Sequence, residues 1–134
     1  MALVLDTRFL ITYTFPPTLE DKVAIKKFFN RIIREEKVYL TPVIIAEYLK
    51  VAGKTIGIDS AEVMIKRFEN AGVKVEPLIS KDAIKAGQLS LKHPNIPLAD
   101  ILIAATTIRL KGKVVSDDPH FKILGLKTTW YKYR

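Results

Sequence analysis

The chain opens on Ala2–Leu5, an apolar run without alternation, the pattern of a strand covered by helices on both faces, as in a parallel sheet. The run stops at Asp6. After a turn at Pro16 and Pro17, Thr18 is placed to cap a long helix reaching about residue 37. Val23, Ile25, Phe28, Phe29, Ile32 and Ile33 form its apolar side, and Lys26, Lys27, Arg31 and Arg34 lie mostly away from it. Residues 38–40 read as a second strand. Thr41 and Pro42 supply N-cap and first helical residue for a helix running to Gly53. Asp59 and Glu62 have the spacing of a capping box, and the helix they open ends at Gly72. A third strand follows at 73–76, and Ser80 caps a helix to about residue 91. Beyond His93-Pro94-Asn95-Ile96-Pro97, residues 98–110 are apolar around most of a helical circumference, which predicts a buried helix, closed by Gly112. Residues 113–116 read as strand, 119–124 as a short helix and 127–131 as a last strand. Strands alternating with helices predict an α/β fold with a mainly parallel sheet. With no repeat, linker or low-complexity segment, residues 1–134 read as one domain.

In an open parallel sheet, ligands bind beyond the carboxyl ends of the strands. Asp6 ends the first strand, Asp117 and Asp118 follow the fourth, and Asp100 lies in the first turn of the buried helix. Glu47 joins them from the second turn of the helix that leaves strand two. Each has an ordinary structural explanation. Asp6 can cap a helix starting at Thr7, Asp118 can cap one with Pro119 at its first position, Asp100 can face a helix dipole, and Glu47 can point to solvent. Together these explanations fit less well, because Asp6, Glu47 and Asp100 stand in apolar sequence, where an unpaired carboxylate costs several kcal/mol. A hard divalent cation, Mg2+ or Mn2+, satisfies several such oxygens at once. The two histidines, His93 and His120, lack ligand spacing for a zinc site. His93 reads as a loop residue; His120 is near enough to Asp118 to touch a substrate or serves only the fold. Gly53-Lys54-Thr55 imitates the end of a phosphate-binding loop but lacks the earlier glycine. Asp6-Thr7-Arg8 departs from haloacid-dehalogenase-type phosphatases at Arg8, and a receiver domain would want an acidic pair ahead of its phosphoacceptor.

Composition narrows the partners. Of 134 residues 49% are apolar, enough for a core, and no cysteine is present, which removes disulfide scaffolds, thiolate metal sites and thiol nucleophiles. No apolar run is long enough to span a bilayer, and the first residues lack the basic stretch of a signal peptide, so a cytoplasmic protein without a membrane partner is expected. The scarcity of Gln beside abundant Ile and Lys is a bias of heat-adapted proteins. Twenty-two basic against 14 acidic residues leave a charge of +8, which suits a polyanion. If Asp6, Glu47, Asp100, Asp117 and Asp118 share one pocket, only nine acids remain to balance the 22 bases elsewhere.

Four segments then resemble the motifs of a PIN domain, in that family's order. They are Leu5-Asp6-Thr7-Arg8-Phe9-Leu10, the stretch from Thr41 through Glu47, the stretch from Leu98 through Thr106, and Val114-Val115-Ser116-Asp117-Asp118-Pro119-His120-Phe121. The resemblance implies a three-layer α/β/α sandwich with a five-stranded, mainly parallel sheet, and an acidic cluster binding Mg2+ or Mn2+. Asp6, Glu47, Asp100 and Asp118 fall on the family's acidic positions, with Asp117 as an additional candidate. Ser116 falls where the family often has Thr or Ser, and Thr7 would orient Asp6. A free-standing domain of this length resembles the VapC-type ribonuclease toxins. That implies metal-dependent hydrolysis of RNA, a small antitoxin partner and a homodimer. Lys26, Lys27, Arg31 and Arg34 are one candidate stripe for the RNA backbone, and Tyr13 or Phe9 could stack on a base. The alternative is a non-catalytic RNA-binding or an RNA-processing PIN domain without an antitoxin.

Overall fold

The computed structural model describes residues 1–132. Five parallel strands, β1 (Ala2–Leu5), β2 (Lys37–Leu40), β3 (Lys74–Val75), β4 (Lys113–Val115) and β5 (Thr128–Thr129), lie in the order β3-β2-β1-β4-β5. Seven helices accompany them among the described residues: α1 (Thr7–Thr14), α2 (Leu19–Glu35), α3 (Pro42–Ile56), α4 (Ile58–Ala71), α5 (Ser80–Lys92), α6 (Leu98–Arg109) and α7 (His120–Ile123). Successive strand side chains point to opposite faces. Leu3, Val4 and Leu5 are nevertheless all buried, so β1 is covered on both sides and the fold has the three layers expected. The central strand is β1, and the strand order reverses between it and β4.

The expected elements are present; β3, β4 and β5 are shorter than expected, β2 begins one residue earlier, and several helix starts differ, α7 beginning at His120 and not at Pro119. Residues 7–14 form a helix of their own, α1, which buries Phe9 and Leu10 directly after the β1 turn. The break before α4 lies at Gly57, not at Asp59. Gly57 has φ of 83°, a conformation that costs glycine little, and this one residue both ends α3 and begins α4. Asp59 therefore sits inside the first turn, where its charge meets the helix dipole. Ser80 likewise lies just inside α5. Thr18 and Thr41 cap as expected, accepting from the Asp21 and Ile44 amides at 3.0 and 3.4 Å. Val23, expected on the apolar side of α2, is half exposed.

Helix α6 is the buried helix anticipated, and it packs against β1, β4, α3 and α5. Ala104 and Ala105 permit close approach. Its buried hydroxyls are satisfied within the helix, Thr106 donating to the Leu102 carbonyl at 3.1 Å and Thr107 to that of Ile103 at 2.8 Å. Arg109 ends the helix by gripping Asp82 of α5 through Nε (2.8 Å) and Nη2 (3.0 Å) and Glu76 through Nη1 (2.8 Å). Burial alone would raise the Asp82 carboxyl, but Arg109, the Ile79 amide and Thr106 together hold it below the usual carboxylate range. Arg109→Ala strands a carboxylate that is only 1% exposed, and we expect it to cost about 2–4 kcal/mol, read as a lower urea midpoint at unchanged m-value. An unchanged midpoint would remove Arg109 from the account of stability.

Candidate active site

The site is assembled where β1 and β4 end side by side. The Asp6 amide donates to the Val115 carbonyl at 3.1 Å, and the Ser116 amide to that of Thr129 at 3.0 Å, so the strand pairing continues into the first residue beyond each strand. This places the Ser116 hydroxyl 2.7 Å from Asp6 Oδ2, to which it donates. The same hydroxyl accepts from the Asp118 amide at 3.0 Å. Asp6 is the residue before α1, but its side chain makes no capping bond; its backbone carbonyl receives the Phe9 and Leu10 amides instead. The carboxylate is thus left to face the site, 3% exposed.

Pro119, expected at the first helical position, is the N-cap of α7, and Asp118 stands one residue before it. Asp118 Oδ1 accepts the His120 amide at 2.9 Å, starting α7, and its carboxylate also faces the imidazole. Asp100, in the first turn of α6, meets His120 Nδ1 at 2.8 Å, with Asp118 Oδ1 at 3.4 Å from the same nitrogen. One ligand atom from each of Asp100, Asp118 and His120 falls within 4.8 Å of the others. Glu47, half-buried in α3, accepts from Thr7 Oγ1 at 2.7 Å. Thr7 therefore orients Glu47, and the residue that orients Asp6 is Ser116. Asp117 turns to Arg8, whose Nε and Nη2 both reach its carboxylate, the latter at 3.1 Å. The other four acids have no lysine or arginine ion pair among the described residues.

The electrostatics follow from this crowding. Burial, with added repulsion from Asp100 and Glu47, pushes the Asp6 carboxyl up to about 6, against the opposing pull of Ser116 and the Thr7 amide. His120 is raised above its ordinary value by its bond to Asp100 and by the charge of Asp118, despite partial desolvation. The Asp117 bond raises Arg8, reinforced by Asp118 and Asp6. Asp6 is a carboxylate with no cation of its own, beside two carboxylates that converge on one nitrogen. Such a donor set, rich in oxygen with a single imidazole, fits a hard divalent ion.

Of the acids expected at the site, Asp100 and Asp118 lie within reach of one ion together with His120, while Asp6 adjoins them through Ser116 and Glu47 stands further out with Thr7, both outside that group. Phe9 is fully buried, and Tyr13 packs edge-on against Phe29 and Phe68 at 5.3 and 5.2 Å, so both serve the core. Lys26, Lys27, Arg31 and Arg34 are exposed on α2, but that helix ends where β2 begins. Arg31 and Arg34 therefore lie toward the edge of the sheet opposite the site. His120 and Arg8 carry more than their sequence positions suggest. The Asp118-Pro119-His120 turn, which folds the imidazole back over the aspartate, is the signal for the first. Nothing local marks the second.

A family model, PIN domain, matches residues 3–126. The chain belongs to the PIN domain family. No curated protein matches it in sequence. Among solved structures, this PIN domain is similar to a chain of VapBC2 from Rickettsia felis bound to a promoter DNA fragment. The TM-score is 0.80 at 15% identity, over 97% of this chain and 98% of that one. It is also similar to VapC20 of Mycobacterium tuberculosis, a sarcin-ricin loop cleaving toxin, with TM-score 0.73 at 14% identity over 92% and 95%. A third is FitAcB from Neisseria gonorrhoeae, with TM-score 0.68 at 21% identity over 94% and 95%. At these identities the likeness establishes the fold.

The raised Asp6 carboxyl links this PIN domain's stability to pH. An acid with a higher pKa folded (about 6) than unfolded (3.8) binds its proton more tightly when folded, so stability falls as pH rises across that window. In metal-free protein at pH 7, Asp6→Asn should therefore be more stable than the parent by up to about 3 kcal/mol, the gain vanishing below pH 4. Urea unfolding in EDTA at the two pH values measures it, and equal midpoints at pH 7 would contradict the burial argument.

Proposed function

We propose that the chain is a Mg2+- or Mn2+-dependent endoribonuclease that hydrolyses RNA phosphodiester bonds. The observation that carries this reading is the buried Asp6 carboxylate, held by Ser116 and without a cation, next to the Asp100–His120–Asp118 cluster. Asp6, Asp100 and Asp118 are the residues to hold the ion, with His120 and Glu47 at its margin; Asp117, engaged by Arg8, would join only by releasing that partner. When bound, the ion supplies positive charge that makes water more acidic and offsets charge developing on phosphoryl oxygens. Glu47, fixed by Thr7, orients the attacking water and takes its proton. Ser116 keeps Asp6 turned inward, and Arg8 offers positive charge at the exposed rim once a phosphodiester enters. Lys26 and Lys27 are backbone contacts under this proposal, ahead of Arg31, which pairs with Glu35.

The likeness to VapBC and FitAB structures supports a finer reading. The chain acts as the toxin of a type II toxin–antitoxin pair in the cytoplasm, as a single domain, homodimeric, and restrained by a small antitoxin over the acidic groove.

Purified protein should cut single-stranded RNA with Mg2+ or Mn2+ and not in EDTA. Asp6→Asn should abolish cutting, and Glu47→Gln should slow it by about 10²–10⁴-fold with the fold intact by circular dichroism. Full activity in excess EDTA would defeat the metal mechanism. For the toxin reading, induced expression in a bacterial host should arrest growth, and Asp6→Asn should relieve the arrest. Growth unaffected by an active nuclease would point to an RNA-processing enzyme.

A further inference from the structure

A cleft of about 530 Å³ opens beside the acidic cluster, lined in part by Asp118, Pro119, Lys122, Thr129, Trp130 and Lys132. Its position relative to the site is set by backbone bonds. The Ser116 amide holds the Thr129 carbonyl at 3.0 Å while the Ser116 hydroxyl holds Asp6, so Trp130 stands one residue beyond the contact that orients the buried carboxylate. The indole is braced edge-on against fully buried Phe9, with ring centres 6.1 Å apart at 84°, and against Tyr131 at 5.1 Å. It is only half-buried, so part of its surface faces the cleft. A ring already fixed by its neighbours loses little freedom on binding a ligand.

The charges in the cleft divide unevenly. Lys132 has its ammonium 2.6 Å from Asp21 and is already engaged. Lys122, exposed on α7, makes no ion pair among the described residues. A wall that holds carboxylates repels an anion but tolerates a neutral aromatic ring, and a free ammonium at its side suits a phosphate. A nucleotide has both parts. A base can lie on the indole only when it is unpaired, which excludes a continuous duplex.

We propose that this cleft is a subsite for one unpaired nucleotide flanking the scissile phosphate, its base stacked on Trp130 and its phosphate drawn to Lys122. The subsite rests on the ribonuclease reading above and extends it to single-stranded or looped RNA. Trp130 is the only tryptophan in the chain, so its emission reports on this position alone. The full chain is titrated in EDTA with a short single-stranded oligoribonucleotide. Its binding is followed independently by anisotropy of a label on the RNA. We expect a saturable change in tryptophan emission that the same sequence in a duplex does not produce. In cleavage assays, Trp130→Ala should raise KM about 5- to 100-fold with kcat little changed. Trp130→Phe, which retains a ring against Phe9, should give a smaller rise. Lys122→Ala should raise KM and lower the salt dependence of binding by about one phosphate contact. If Trp130→Ala fails to fold, Trp130→Phe and Lys122→Ala decide.

RNA that binds by anisotropy without altering the emission overturns the subsite, as do wild-type KM values in both Trp130→Phe and Lys122→Ala. A saturable emission change in a protein that cuts no RNA with either metal leaves the subsite standing and removes the nuclease. Cleavage with unaltered emission does the reverse, and absence of binding by both signals together with absence of cleavage with either metal overturns both.

Discussion

The hydrogen bond from Ser116 to Asp6 joins the two central strands at the point where the order of the sheet reverses, and the other groups of the site are referred to it. The Asp6 amide continues the β1–β4 pairing and the Ser116 amide the β4–β5 pairing, so the bond forms between side chains whose backbones are already fixed. From Ser116 the arrangement extends to the Asp118 amide, from Asp118 to His120, and from His120 to Asp100 on α6. On the other side, Thr7 follows Asp6 and reaches Glu47 on α3. Four segments distant in sequence, residues 6–7, 47, 100 and 116–120, are thus linked to one carboxylate without a loop of any length. The rule that ligands sit beyond strand ends at a switch point has here a concrete cause, since the connection leaving β1 leads to β2 on one side and that leaving β4 to β5 on the other, which leaves room between them for side chains from both.

Three buried aspartates show how differently the chain treats the same problem. Asp82 has Arg109 and is held below the ordinary range. Asp21 has Lys132, Tyr131 and Thr18, and its carboxyl falls to about 2. Asp6 has a hydroxyl and a backbone amide, no cation among the described residues, and two more carboxylates close by; it rises to about 6. The first two are solved as structure. The third is left unsolved by the protein itself, and a buried charge without a counter-charge is costly unless something else supplies it. All three are shielded from solvent, but only for Asp6 does burial outweigh its partners, and that separates an acid that serves the fold from one that awaits a ligand.

Much of this was legible in the sequence because it depends on local rules. The unbroken apolar run before Asp6, the Thr-Pro start of α3 and the all-round apolar α6 each follow from periodicity and capping, and their order implied a parallel sheet with acids at its carboxyl edge. What was not legible depends on pairing at long range. That Thr7 serves Glu47 and not its neighbour Asp6 is decided by the direction of α1 relative to α3, 40 residues away. Arg8 meets Asp117 across 109 positions, and no spacing rule links them. The basic stripe on α2 was read correctly as exposed, but its distance from the site depends on which way the helix runs between edges of the sheet. The capping box at Asp59 failed because Gly57, with its positive φ, lets one residue serve as the end of one helix and the start of the next.

The basic surplus takes on a different meaning with the acids located. Arg109, Lys132 and Arg8 are committed to Asp82, Asp21 and Asp117, so part of the positive charge is structural. The acids of the site receive none of the lysines, and His120 alone stands between two of them. A polyanion approaching such a surface is attracted at long range by the net charge and repelled at close range by the cluster. A cation that neutralises the cluster before or as the phosphate arrives removes the close-range repulsion and strengthens a binding that the net charge and the flanking surface already favour. Binding of metal and of nucleic acid would then be linked, each making the other more favourable. The same acids that weaken the metal-free fold would give the filled site its preference for a charged backbone. Stability for that arrangement has to come from elsewhere, and the buried faces of β1 and α6 together with the Arg109 network are where this chain keeps it.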